Sequence, residues 1–340
     1  MANDKITSLE VAKRAGVSQS AVSRVFTPGA SASAKTVEKV KRAAAELGYR
    51  PNRMARAMIT GKSRIIGLIV AYLDNMFYPL ALERLSNALQ AKGYHILVFT
   101  ASNAQDRVEE VVSELMDYQV DGIITASVSM SGDLTARCAG AGIPVVMFNR
   151  GQEGVDLSAV TSANVAGGRK VADFLVAAGH ARIAHISGWQ GSSTGRDRQR
   201  GFCERLTELG RPVPQIIDGM YNRDTAAAAA QTLMQSATPP DAIFVGNDHM
   251  AFAVMDKLRG DLGLRVPQDV AIVGYDDVPT AAWAAYDLTT VRQPVNQMVE
   301  ATVDLLLTKI ADPIAPVRRV EIDAPLIPRG SAPTNQRTTP

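Results

Sequence analysis

Two groups of residues in this 340-residue chain have types and spacings suited to recognition chemistry. The first is near the amino terminus, where Gln19, Ser20 and Arg24 stand among Ala21, Val22, Val25 and Phe26, which repeat with helical spacing. A Gln amide pairs through two hydrogen bonds with adenine, and an Arg guanidinium does so with guanine. That mix at the start of a helix suits the reading of base edges in a major groove. The second group follows a series of apolar runs: Asp74, Asn75, Phe77 and Tyr78 after IIGLIV, Ser127 after DGIITA, and Asn149 with Arg150 after IPVVMF. Arg198, Tyr221, Asn247 with Asp248, and Asp276 continue it. Carboxylates and guanidinium groups each bind pairs of vicinal hydroxyls and an aromatic ring offers an apolar face, so the set suits a small polyol or sugar. The same aromatics leave a stacked purine open.

The elements that must position the first group are short helices. Thr7 to Ala15 reads as a helix with Thr7 as its cap and Glu10 as the capping-box partner, broken by Gly16. Ser18 caps a second helix, ended by Pro28 and Gly29. A third begins at Ser33, carries Val37, Val40, Ala44 and Leu47 at helical spacing, and stops at Gly48. The first two, joined by a tight Gly turn, make a helix-turn-helix. Charge agrees: through Arg64, 13 Lys and Arg stand against four acids, a balance of +9, while the remainder carries −7. A basic module of this size is the footprint of phosphate neutralisation on nucleic acid. After Tyr49, Pro51 and the residues before Gly61 form a hinge segment of good helix propensity that is too short to hold alone, so it should fold only when bound.

The elements for the second group alternate. IIGLIV, YHILVF, DGIITA, IPVVMF, RIAHIS, DAIFVG and VAIVGY read as strands. Between them, helical patterns span 79–92, 105–118, 164–178, 196–209, 225–236 and 248–259. Alternation of this kind predicts parallel sheets covered on both faces, and the count fits two doubly wound units with ligands outside the carboxyl ends of the strands.

Several function classes are excluded. With 46% hydrophobic and 21% charged residues the chain has ample material for an α/β core, not a disordered one. No run reaches the roughly 18–20 apolar residues of a membrane span, and MANDKITSLE has no secretory apolar region, so a cytoplasmic protein is expected. Cys138 and Cys203 have no metal or redox spacing. TGKS at 60–63 lacks the P-loop glycine, Arg56 standing in its place, and GWQGSSTG at 188–195 has the wrong spacing for a dinucleotide. His180 and His185 do not share a helical face as a zinc pair would, no nucleophile elbow appears, and the four histidines read as packing or surface residues. The expectation is a protein without catalysis, cofactor or metal.

The stretches TSLEVAKRAGVSQSAVSRVF and SAKTVEKVKRAAAELGYRPNRMARAM resemble, in unbroken register, the DNA-binding headpiece of the lactose/galactose repressor (LacI/GalR) family of bacterial transcriptional regulators. The resemblance implies that Gln19, Ser20 and Arg24 read the major groove. It implies that Thr7, Ser18, Ser23, Asn52 and Arg53 hold the DNA backbone or start the hinge, and that Met58 is a minor-groove wedge. The strand and helix order behind the headpiece resembles the family's effector domain, which shares its fold with periplasmic sugar-binding proteins. Arg198, Tyr221, Asn247, Asp276 and Gln293 align with effector positions there.

The implied organisation is an all-α headpiece (1–50), a hinge and linker (51–64) and an α/β effector and dimerisation domain (65–331), followed by a flexible tail (332–340). One lobe comprises 65–162 with 293–322, the other 163–292 with 323–331. The tail has no heptads to support a tetramer. The implied function is a homodimeric repressor of a palindromic double-stranded DNA operator, controlled by a small-molecule effector, a sugar or related polyol. Purine control and a ligand-free architectural role are the alternatives.

Overall fold

The computed structural model of the chain describes residues 6–27, 30–51, 61–101 and 105–333. It divides into two units, Met1–Ser63 and Arg64–Pro340. Asn52, Arg53 and Met58 lie outside the described residues, as do most of the hinge segment and the end of the tail.

In the first unit, local signals become helices directly. The Thr7 amide donates to Glu10 Oε2 at 2.7 Å and Thr7 Oγ1 accepts from the Glu10 amide at 3.4 Å, a complete capping box for α1 (Ser8–Ala15). Gly16 ends α1 in the left-handed region, and Ser18 caps α2 (Gln19–Val25). Ser33 caps α3 (Ala34–Leu47). The three helices enclose a small core of Val11, Ala12, Ala15, Val22, Val40, Ala43 and Ala44.

The second unit has two six-stranded sheets. The first lobe runs β1 (Ile65–Val70), α4 (Phe77–Ala91), β2 (His95–Thr100), α5 (Gln105–Asp117), β3 (Gly122–Ala126), α6 (Gly132–Gly140), β4 (Val145–Phe148) and β5 (Ser158–Ser162). The second runs α7 (Asn164–Ala177), β6 (Ile183–Ser187), α8 (Ser193–Glu208), β7 (Gln215–Asp218), α9 (Arg223–Met234), β8 (Ala242–Val245), α10 (Asp248–Asp256), β9 (Ala271–Asp276) and β10 (Thr289–Arg292). The chain then returns through α11 (Val295–Ala311) to β11 (Arg319–Ile322) beside β5, and crosses again to β12 (Leu326–Ile327) beside β10. The sheet orders are β11-β5-β4-β3-β1-β2 and β12-β10-β9-β8-β6-β7. Among the described residues every pairing is parallel except that of β10 with β12. Strands IIGLIV and AIVGYD are buried nearly throughout, as sheets covered on both faces require.

Two elements start earlier than expected: α4 begins at Phe77, taking in the buried aromatics Phe77 and Tyr78 ahead of Pro79, and α8 begins at Ser193, taking in the small residues Ser193, Thr194 and Gly195. Helix α10 ends at Asp256 and continues as a π-turn, Lys257–Asp261. Helices α7 and α8 cross closely. A Cβ at Gly168 would strike the Arg198 carbonyl, and one at Gly201 would strike that of Val165. These glycines let α8 approach far enough to bury Arg198.

Candidate functional site

On α2 the side chains of Gln19, Ser20, Ser23 and Arg24 are exposed, while Val22 between them is buried in the headpiece core. Gln19 Nε2 donates to Ser8 Oγ at 2.9 Å, tying the starts of α1 and α2 together. The Ser18 and Ser20 hydroxyls are 2.9 Å apart. The headpiece ion pairs, Arg14 with Glu46 at 2.7 Å and Arg42 with Glu38 at 3.6 Å, leave Arg24 outside them. A polar helix start held out by a packed partner helix can enter a major groove and meet base edges.

The second constellation forms at the carboxyl ends of both sheets. Tyr72, Asp74, Asn75, Tyr78, Ser127, Asn149 and Arg150 from the first lobe face Thr194, Tyr221, Asn247 and His249 from the second. The space between them is about 20 Å³, room for roughly one water. Polar bridges close it. Asp74 lies 3.5 Å from His249 Nε2, and the Gly151 amide donates to Ser193 Oγ at 3.1 Å. The Arg150 guanidinium lies 5.6 Å from the Trp189 ring centre. A ligand the size of a sugar therefore enters only as the lobes part, replacing these contacts with its own.

Backbone geometry marks the same place. Ser127 (φ 61°), Asn149 (φ 68°), Tyr221 (φ 55°) and Asp276 (φ 132°) all adopt left-handed conformations beyond or at strand ends. For residues with a Cβ each such conformation costs about 1–3 kcal/mol, and clustered cost of this kind is typical of binding sites. Within the first lobe the Tyr78 hydroxyl bonds Ser127 and accepts from Asn149 Nδ2 at 3.0 Å. Across the cleft, Tyr221 and Thr194 share a hydrogen bond of 3.0 Å.

A buried layer supports the cleft from the second lobe. Arg198 donates from Nε to Asn164 Oδ1 at 2.9 Å and from Nη1 to the Gly246 carbonyl at 2.7 Å. Its guanidinium lies 3.7 Å from the Tyr275 ring centre, and Nη2 is 3.6 Å from Asp276 Oδ1. Gln293 Nε2 donates to Asp276 Oδ1 at 2.7 Å. Asn247 uses Oδ1 to cap α10, accepting from the Met250 amide at 2.9 Å. The strand-end residues named from the sequence thus fall in two layers: Asp74, Tyr78, Ser127, Asn149, Arg150, Tyr221 and Asn247 on the cleft, with Arg198, Asp276 and Gln293 behind.

Phe77 belongs to neither layer. It is 2% exposed and stacks on Phe148 at 6.2 Å in the core, because it occupies the first turn of α4 with its ring turned towards the sheet. His249 is the reverse case, a cleft residue where a packing or surface role is expected. Its signal is its place beside Asn247 and Asp248 in VGNDHM. Thr194 and Trp189 lie in GWQGSSTG, a run whose Ser192 caps α8. His185, in contrast, is a core residue stacked 4.6 Å from Phe244, its Nδ1 2.9 Å from the Phe244 carbonyl, and burial pushes its pKa down to about 4.

Asp248 gives the second lobe a pH dependence. Its carboxyl is fully buried, accepts from Thr290 Oγ1 at 2.6 Å and from the Val278 amide at 3.0 Å, and is pushed up to about 8 by burial and then by the Asp276 charge. In the unfolded chain the group titrates near 3.8, so the folded state holds the extra proton between these values. Its contribution to stability is complete below the lower value and is lost as pH rises through the higher one. Asp248→Asn is neutral at every pH in this window. Urea denaturation at pH 6 and pH 8.5 should therefore reveal a smaller difference in the variant than in the parent; equal differences would refute this account.

Residues 7–52 match the model described as bacterial regulatory proteins, lacI family, and residues 172–332 match that of the periplasmic binding protein-like domain. The HTH-type transcriptional regulator CelR of Thermobifida fusca is 34% identical over 320 residues, covering 91% of this chain and 94% of its own. The crystal structure of the Lac repressor dimer bound to operator and the anti-inducer ONPF superimposes with a TM-score of 0.87 at 26% identity, covering 97% of this chain and 100% of that one. A CelR–cellobiose complex superimposes with a TM-score of 0.71 at 32% identity, covering 96% and 100%. Full-length likeness, a matching headpiece and a two-lobed body with a polar cleft lead to one assignment: the chain belongs to the lacI family of bacterial regulatory proteins and is a DNA-binding transcriptional regulator, not an enzyme.

Proposed function

We propose that this regulator acts in the cytoplasm as a homodimeric repressor, reading a pseudo-palindromic operator with α2 of each subunit and responding to a small polar molecule held between its lobes. Gln19, Ser20 and Arg24 read base edges in each half-site, and Thr7, Ser18 and Ser23 hold phosphates. Dimer symmetry and operator symmetry go together in such readers. The observation that carries the effector half of this reading is the cleft, where strained strand ends and polar side chains from both lobes converge. The related complexes with ONPF and with cellobiose support a sugar-like ligand in the corresponding fold. Binding in the cleft replaces the Asp74–His249 and Gly151–Ser193 bridges and so changes the balance between lobe arrangements. Such coupling is typically worth about 1–3 kcal/mol, and it acts only through unequal affinity for the two arrangements.

The test is selection of genomic fragments by the purified protein at near-physiological salt, followed by sequencing. Enrichment of a short palindrome is expected, and its neighbouring genes nominate ligands. Uniform, salt-sensitive retention without a motif would leave an architectural role in its place.

A further inference from the structure

The cleft holds a cation that nothing in the described residues neutralises. Arg150 is 3% exposed, and its Nε and Nη1 are buried without a hydrogen-bond partner. The nearby acids are already engaged: Asp276, behind the cleft, by Arg198 at 3.6 Å, and Asp74, on it, by His249 at 3.5 Å. Beside it, Asn149 Oδ1 is also buried and unpartnered. Trp189 lies 5.6 Å from the guanidinium, and Arg150 lines the cleft. Burying an ionised group without a partner costs several kcal/mol, and proteins tolerate this chiefly where a ligand completes the pair.

We propose that the effector carries an oxyanion, a carboxylate or phosphate on a small hydroxylated skeleton, which accepts from the unpartnered donors of Arg150 and supplies its missing counter-charge. This inference rests on the cleft being the effector site. A charge-assisted hydrogen bond to an oxyanion is roughly twice as strong as a neutral one, the strongest use of such donors. The Asn149 carbonyl accepts from a ligand hydroxyl, and the Thr194–Tyr221 pair offers hydroxyls across the cleft. A neutral sugar would satisfy the geometry of these groups but leave the Arg150 charge buried, and so binds less well.

Calorimetric titration of the full-length protein with D-gluconate, D-galacturonate, D-glucose 6-phosphate and D-ribose 5-phosphate, against D-glucose, D-galactose, D-ribose and hypoxanthine, tests it. At least one acid should bind about 10-fold or more tightly than its neutral counterpart, the usual scale for a desolvated charge pair. Carboxylates and phosphates form separate arms, which identify the oxyanion. Arg150→Gln should abolish the preference and Arg150→Lys should keep much of it, with melting curves verifying that both variants fold. The inference is overturned if no acid outcompetes its neutral counterpart, if a neutral sugar or hypoxanthine binds most tightly, or if Arg150→Gln binds the acid as the parent does. Operator affinity measured with and without each compound separates the two readings. A neutral sugar that shifts operator affinity would sink the oxyanion and keep the effector site, whereas an acid that binds without shifting it would do the opposite.

Discussion

Asp276→Ala is expected to abolish the ligand response and to destabilise the body by about 3–5 kcal/mol, the scale for stripping one partner from a buried ion pair. Asp276 is 4% exposed and gathers two side chains: Gln293 at 2.7 Å and Arg198 at 3.6 Å. Removing the carboxylate leaves the Arg198 guanidinium with Asn164, the Gly246 carbonyl and the Tyr275 face but no counter-charge. It also removes the acceptor of the Gln293 amide. The headpiece has its own core around Val11, Val22 and Val40, so α2 keeps the shape it needs for operator recognition. Urea denaturation reports the stability loss, and operator titration with and without the compound that binds the parent protein reports the response. Asp276→Asn retains the size and one acceptor, so it separates lost charge from lost packing. An unaltered ligand response in both variants would remove Asp276 from the mechanism.

Arg24→Ala is expected to cost about 1–3 kcal/mol per half-site and to relax preference at a single base position. In a dimer both half-sites lose the contact, so the loss for a full operator is about twice that of one. Arg24 stands on the exposed side of α2, outside the headpiece ion pairs, so its fork is available to a guanine edge. Binding selections with randomised operators give the decisive pattern. If affinity falls equally on all sequences and the salt dependence weakens by about one counterion per half-site, Arg24 touches phosphate instead.

The headpiece was legible residue by residue because its signals are short-range. A capping box closes over three residues, a helix repeats within four, and a glycine ends it in place. The Thr7–Glu10 pair and the Ser18 and Ser33 caps therefore appear in the structure as the spacing predicts. The strongly apolar strands are equally local, since a run such as IIGLIV has no stable place except inside a covered sheet. The weaker elements escaped: SAVTS (β5) and QIID (β7) mix polar and apolar residues, and β12 is two residues long. Helix α11 also escaped the reading, although Met298, Val299, Thr302, Leu305 and Leu306, all buried, recur there at helical spacing.

The cleft divides along the same physical line. Residue types and strand ends made Asp74, Tyr78, Ser127, Asn149, Arg150 and Asn247 candidates without any knowledge of the fold, because parallel sheets present their loops at one edge. Which candidates face ligand and which brace the site depends on contacts between distant segments. Phe77 turns into the core on the first turn of α4, Arg198 reaches Asp276 only because Gly168 and Gly201 let two helices touch, and His249 meets Asp74 only when the lobes come together. Helix periodicity and capping are written into a few neighbouring residues and survive in isolation. The balance of charge around Arg150 is the sum of partners drawn from both lobes, and it exists only once chain closure has brought them within a few ångströms.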